Sequence, residues 1–182
     1  GQSILPAIGP TLWYVDVAVG GYHCIGLLND GTMRANGSNQ YGQIDVPFPP
    51  IGVSFVEIGA GGAYSAALRS DGVVMAWGIN ENGQRNVPPL PAGATYVDLE
   101  VGPFHALARR SDGAVVAWGA NFNGQCDVPT LPAGQSFVAL TAGDYHSAGL
   151  TNTGQIVAWG SNASGQCDVA PLPASQTYIA VE

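Results

Sequence analysis

His23, His105 and His146 are the only histidines in the chain. They occupy one repeated position, which confines the side chain best suited to metal binding or proton transfer to equivalent places in successive copies. Zinc requires Cys, His or carboxylate ligands that converge from close neighbours, whereas copies of one position lie a whole structural unit apart. The position has a structural explanation instead: each His is expected to bond backbone at the start of a strand and lock its own unit. Cys126 and Cys167, with Asp45, Asp127 and Asp168, make a second ring of equivalent positions, which solvated turn carboxylates explain without a cation. Cys24 stands apart, and three cysteines do not make a disulfide framework. Trp77, Trp118 and Trp159 each follow Ala and precede Gly at a strand end, which suits packing between adjacent units better than stacking on a base or sugar. With the histidines assigned, no Ser/His/Asp set remains, and no Gly-rich loop opens a helix. The chain therefore reads as non-catalytic, without catalytic residues, cofactor or metal site.

These positions recur because the chain repeats one sentence. Trp118-Gly119-Ala120-Asn121-Phe122-Asn123-Gly124-Gln125-Cys126-Asp127-Val128-Pro129 is matched by segments opening at Trp77 and Trp159 and by a degenerate copy opening at Asn36. Gly37, Gly78, Gly119 and Gly160 are spaced by 41 residues without insertion. The whole of 1–182 is thus one array, with periods 1–41, 42–82, 83–123 and 124–164 and a partial fifth over 165–182.

Each period begins with an alternating run, such as Val56-Glu57-Ile58-Gly59-Ala60, which predicts a strand with one buried face. A Gly at 20, 61, 102 or 143 turns the chain into a second strand, His23 to Leu28 and its copies. Asp30-Gly31, Asp71-Gly72, Asp112-Gly113 and Thr153-Gly154 are hairpin turns. A third strand such as Val73 to Trp77 leads into the signature. Pro-rich connectors follow, Leu90 to Gly93 and Leu131 to Gly134, which Pro limits to a short or edge strand.

Composition sets bounds on function. The chain is 46% hydrophobic and only 10% charged, so a packed core is expected and disorder is excluded. A net charge of −8 with five Lys and Arg argues against nucleic acid, whose binding depends on clustered cations. No apolar run approaches the ~18 to 20 residues of a membrane span. The acidic, Lys-poor, Asn- and Gly-rich surface points to an extracellular or cell-surface protein.

A period near 40 residues with three or four short antiparallel strands per copy marks an all-β propeller, or an open arc of one. The Trp-Gly-x-Asn-x-x-Gly-Gln-x-x-Val-Pro signature, with Gly-x-Tyr-His and Asp-Gly, resembles the repeat of the regulator of chromosome condensation family. The likeness is to its short-bladed bacterial form, as found in a propeller-type β-lactamase inhibitory protein. It covers the whole chain, with Asn36 departing from Trp and Tyr64 departing from His. Family propellers usually close with seven blades, and Thr177 to Glu182 reads as the first strand of a fifth. The remainder of a longer propeller or self-association of copies would supply its neighbours.

In a meander, the turns after strands one and three open on one face, opposite the Asp-Gly hairpins. That face gathers Tyr22, Tyr41, Ala63, Phe104, Phe122, Asp144 and Tyr145, with few charges, as expected of a protein contact. In the resembling inhibitor, aromatics of the first turn contact the partner, which implies the same role for Tyr22, Phe104 and Tyr145. The expectation is a scaffold that binds a protein partner. Two alternatives are a self-assembling ring or filament joined by strand addition, and a glycan-binding propeller that uses the rim aromatics with Asn80, Asn121 and Asn162.

Overall fold

The computed structural model describes residues 5–173 and 176–181. Its strands run in chain order as β1 (Tyr14–Val19), β2 (His23–Leu28), β3 (Met33–Gly37), β4 (Phe55–Ala60), β5 (Tyr64–Arg69), β6 (Val74–Gly78), β7 (Tyr96–Val101), β8 (His105–Arg110), β9 (Val115–Gly119), β10 (Phe137–Ala142), β11 (His146–Thr151) and β12 (Ile156–Gly160). Consecutive triplets form four three-stranded antiparallel blades with the strands in sequence order. Each blade is a meander whose second hairpin turns at a Gly of positive φ, for example 77° at Gly72, which a side chain would strain.

The first strand does not alternate as the sequence suggested. A bulge follows its first residue in every blade, between Tyr14 and Asp16, Phe55 and Glu57, Tyr96 and Asp98, and Phe137 and Ala139. The extra residue shifts the phase, so Phe55 and Ile58 are both buried while Val56 between them is exposed. Val97 and Val138 are exposed in the same way, and Tyr96 with Leu99 and Phe137 with Leu140 are buried.

The core lies between blades. Ile25, Leu27 and Met33 of the first blade pack with Phe55, Ile58 and Trp77 of the second. Leu68 and Val74 of the second meet Tyr96, Leu99 and Trp118 of the third. Leu107 of the third meets Phe137, Leu140 and Trp159 of the fourth. A blade has no core of its own, so each is stabilised by its neighbours, as in other repeat arrays.

Two expectations are corrected. Blades have three strands, within the expected three to four, but among the described residues the Pro-rich connectors form no short or edge strand, because they turn: Ala94 N–H donates to Pro91 O at 3.1 Å and Gln135 N–H to Pro132 O at 3.0 Å. Pro residues there remove the donors a ladder needs. The segment 177–181 is not a strand either, and Glu182 lies outside the described residues. Tyr178 N–H still donates to Gly154 O at 2.9 Å, as Tyr96 N–H does to Gly72 O at 2.8 Å, so 178 enters in the register of a next blade.

Candidate functional site

His23 and His105 join neighbouring blades. His23 Nε2 lies 2.8 Å from Ser65 Oγ, and His105 Nε2 lies 2.8 Å from Ser147 Oγ, each Ser in the following blade. The Ser hydroxyls donate to the backbone carbonyls of Gln43 and Gln125 at 2.9 Å, so the imidazole must be the donor through Nε2–H. Both imidazoles thus bond a hydroxyl, because the next blade offers Ser one residue beyond its own copy of this position. The second blade has Tyr64 there, opposite Ala106, and its longer side chain reaches past Ala to the carbonyls of Gly102 and His105 at 2.9 and 2.7 Å.

The tryptophans complete these joints. The indole N–H of Trp77, Trp118 and Trp159 donates to the carbonyls of Gln43, Gln84 and Gln125 in the preceding blade at 3.0, 3.0 and 2.9 Å. Burial between blades leaves them unavailable as stacking platforms.

Within the signature loop, Asn39, Asn121 and Asn162 accept backbone N–H bonds through Oδ1 and donate through Nδ2 to Asp45, Asp127 and Asp168. Asn80 bonds Asn86 and Arg85 in the same manner. The carboxylates and amides are thus spent on the turn. Burial, with Asp127 nearby, pushes the Cys126 thiol up to about 11, so it stays protonated and bonds Ala120 O. Among the described residues, no group of three or more His, Cys, Asp or Glu could hold a metal ion.

The two turn sets meet where the meander places them. Ser38 N–H donates to Tyr22 O, Ile79 to Ala63 O, Ala120 to Phe104 O and Ser161 to Tyr145 O, each at 2.8 to 3.0 Å, tying third turn to first turn. Across blades, Gly21 N–H donates to Gly61 O and Gly62 N–H to Pro103 O. A Cβ at Gly21 would stand 2.7 Å from Gly62 O, so the ledge requires glycine. Over this ledge opens a groove of about 740 Å³.

Tyr22, Tyr41, Ala63, Phe104 and Asp144 all line the groove. Tyr145 lies behind Phe104, stacked at 5.2 Å and 13°. Phe122 is exposed but is not among the lining residues. Glu81 and Pro103, at the turn positions that supplied Phe122 and Asp144, also line it, as does Ile79, whose position supplied no candidate. Their signal was variation between copies at those positions, which says where a surface differs but not which copies converge.

The description that matches the chain is the regulator of chromosome condensation (RCC1) repeat, over residues 14–43, 55–84, 96–125 and 137–166. Among solved structures, yeast RCC1 (Prp20) bound to Kap60 is 25% identical with a TM-score of 0.73, over 86% of this chain and 45% of that one. Prp20p from Saccharomyces cerevisiae, described with its binding properties to Gsp1p and histones, is 24% identical with a TM-score of 0.73, over 91% and 48%. The ectodomain of the Physcomitrella patens receptor kinase CR4 is 27% identical with a TM-score of 0.61, over 81% and 39%. The chain spans less than half the length of these three structures. No curated protein matches it by sequence.

Proposed function

Since the chain belongs to the regulator of chromosome condensation repeat family, we propose that it is a non-catalytic scaffold that docks a protein partner in the aromatic groove of its turn face. The observation that carries this reading is the convergence of Tyr22 and Tyr41 of the first blade with Phe104 of the third over a hydrogen-bonded ledge. Tyr22 is 67% exposed and Tyr41 44%, apolar area that solvent does not favour and a partner would cover. The solved yeast relative with Kap60 is itself a protein complex, which supports the same class of activity here. The test is comparative capture from native extract with the intact protein and a Tyr22→Ala/Tyr41→Ala variant of unchanged melting temperature. A partner retained by the first and lost by the second is expected; equal retention of every partner by both would remove the groove from the function.

The outer faces of the end blades favour a second reading, association by blade-to-blade packing. Gln166 and half-buried His146 of the fourth blade repeat positions where Gln43, Gln125, His23 and His105 are 0 to 1% exposed. On the first blade, Val17 and Val19 are exposed, whereas Ile58 and Leu99 at the Val17 position are buried in the interior. Light scattering should then give a mass above 18.6 kDa that rises with concentration and falls on Val19→Glu. A concentration-independent particle of 18.6 kDa would exclude this association.

A further inference from the structure

The groove carries charge of one sign only. Glu81 and Asp144 line it beside Tyr22, Tyr41 and Phe104, and no Lys, Arg or His does. Both carboxylates are exposed. The ion pairs among the described residues, Arg69 with Asp71, Arg109 with Asp98 and Arg110 with Asp112, take neither of them. They also take no part in the turn bonds that occupy Asp45, Asp127 and Asp168. Unlike Asp45, Asp127 and Asp168, their carboxylates have no hydrogen bond or ion pair among the described residues.

Aromatic rings carry negative charge density on their faces, so a ring wall flanked by carboxylates favours a cation that also offers apolar surface. Arg and Lys side chains do both, with a charged end on an aliphatic stem. A neutral segment would desolvate Glu81 and Asp144 without return, and an acidic one would add like-charge repulsion. We infer that the groove takes a protein segment presenting an Arg or Lys side chain, its stem against Tyr22 and Phe104 and its charge beside Glu81 and Asp144. This rests on the docking role proposed above and specifies the chemistry of the partner. The stacking of Tyr145 on Phe104 fixes one wall, so the ring face is in place before the segment arrives.

The test is selection of displayed random peptides against the intact protein, followed by calorimetry on synthetic copies of the enriched sequences. Peptides that lose binding on Tyr22→Ala define the groove-dependent set. Those peptides are expected to carry Arg or Lys next to an apolar residue. Their affinity should fall about tenfold on Glu81→Gln/Asp144→Asn, and also between roughly 0.05 M and 0.5 M salt. Both substitutions alter exposed side chains outside the turn hydrogen bonds, so folding is preserved. Groove-dependent peptides without a cation, or with affinity indifferent to the double substitution, would overturn the inference and leave the docking role standing. A selection with no groove-dependent peptide would overturn both.

Discussion

Burial keeps His105 neutral, holding its imidazole down at about 4, with the charge of His146 adding to the effect. The unfolded chain takes up that proton near the ordinary value of 6.5, so stability declines as the pH falls from about 6.5 to 4. Glu57 and Glu100 act in the opposite sense. Burial, with Asp98 close by, raises both to about 7. The folded chain then holds protons that the unfolded chain releases from about 4.5, and stability is lost as the pH rises from 4.5 to 7. Glu57→Gln with Glu100→Gln should therefore stabilise the protein at pH 8, on the order of 1 kcal/mol each after allowance for solvent screening, and do little at pH 4. Urea unfolding at the two pH values checks this; an equal gain at both would assign the effect to packing. Nothing in the spacing announced these raised carboxylates, because the groups that surround Glu57, Asp98 and Arg109 among them, belong to neighbouring blades.

Between elements, the joint is the unit of stability, and its chemistry comes in two sets. His faces Ser at the first and third joints, and Tyr faces Ala at the second. His105→Tyr alone should destabilise by ~2 kcal/mol or more, since the ring meets the Ser147 hydroxyl and displaces its bond. Adding Ser147→Ala should recover most of the loss, and a double-mutant cycle by chemical denaturation measures the coupling. Additive losses would mean that the two positions do not form one device. Trp118→Phe keeps most of the ring but orphans the Gln84 carbonyl, at an expected cost of ~1 to 3 kcal/mol. The departure of Tyr64 from His was legible in the sequence, yet its compensation by Ala106 was not, because the pair spans 42 positions and meets only across a blade boundary.

For the molecule as a whole, framework and groove are separate sets of residues. Tyr22→Ala and Tyr41→Ala remove exposed rings, so stability should change by less than ~0.5 kcal/mol while docking is lost. Thermal melts alongside binding test this, and a large drop in melting temperature would make the rim part of the fold. Trp118→Phe should show the reverse, with reduced stability and retained docking.

The sequence by itself determined the period, the three strands of each of the four blades, the hairpin glycines and the face on which the variable turns open. Those follow from local backbone chemistry and from a repeat that has no insertions. It also singled out Tyr22, Tyr41, Ala63, Phe104 and Asp144 by their place in the turns. Only the tertiary structure decided that these five share a groove with Glu81 while Phe122 does not line it. It likewise showed that His bonds the next blade's Ser and that each blade stops at three strands. The physical reason is the same in each case. A repeat fixes what one blade is, but the angle and separation between blades come from packing across them, and a groove or a joint belongs to that interval.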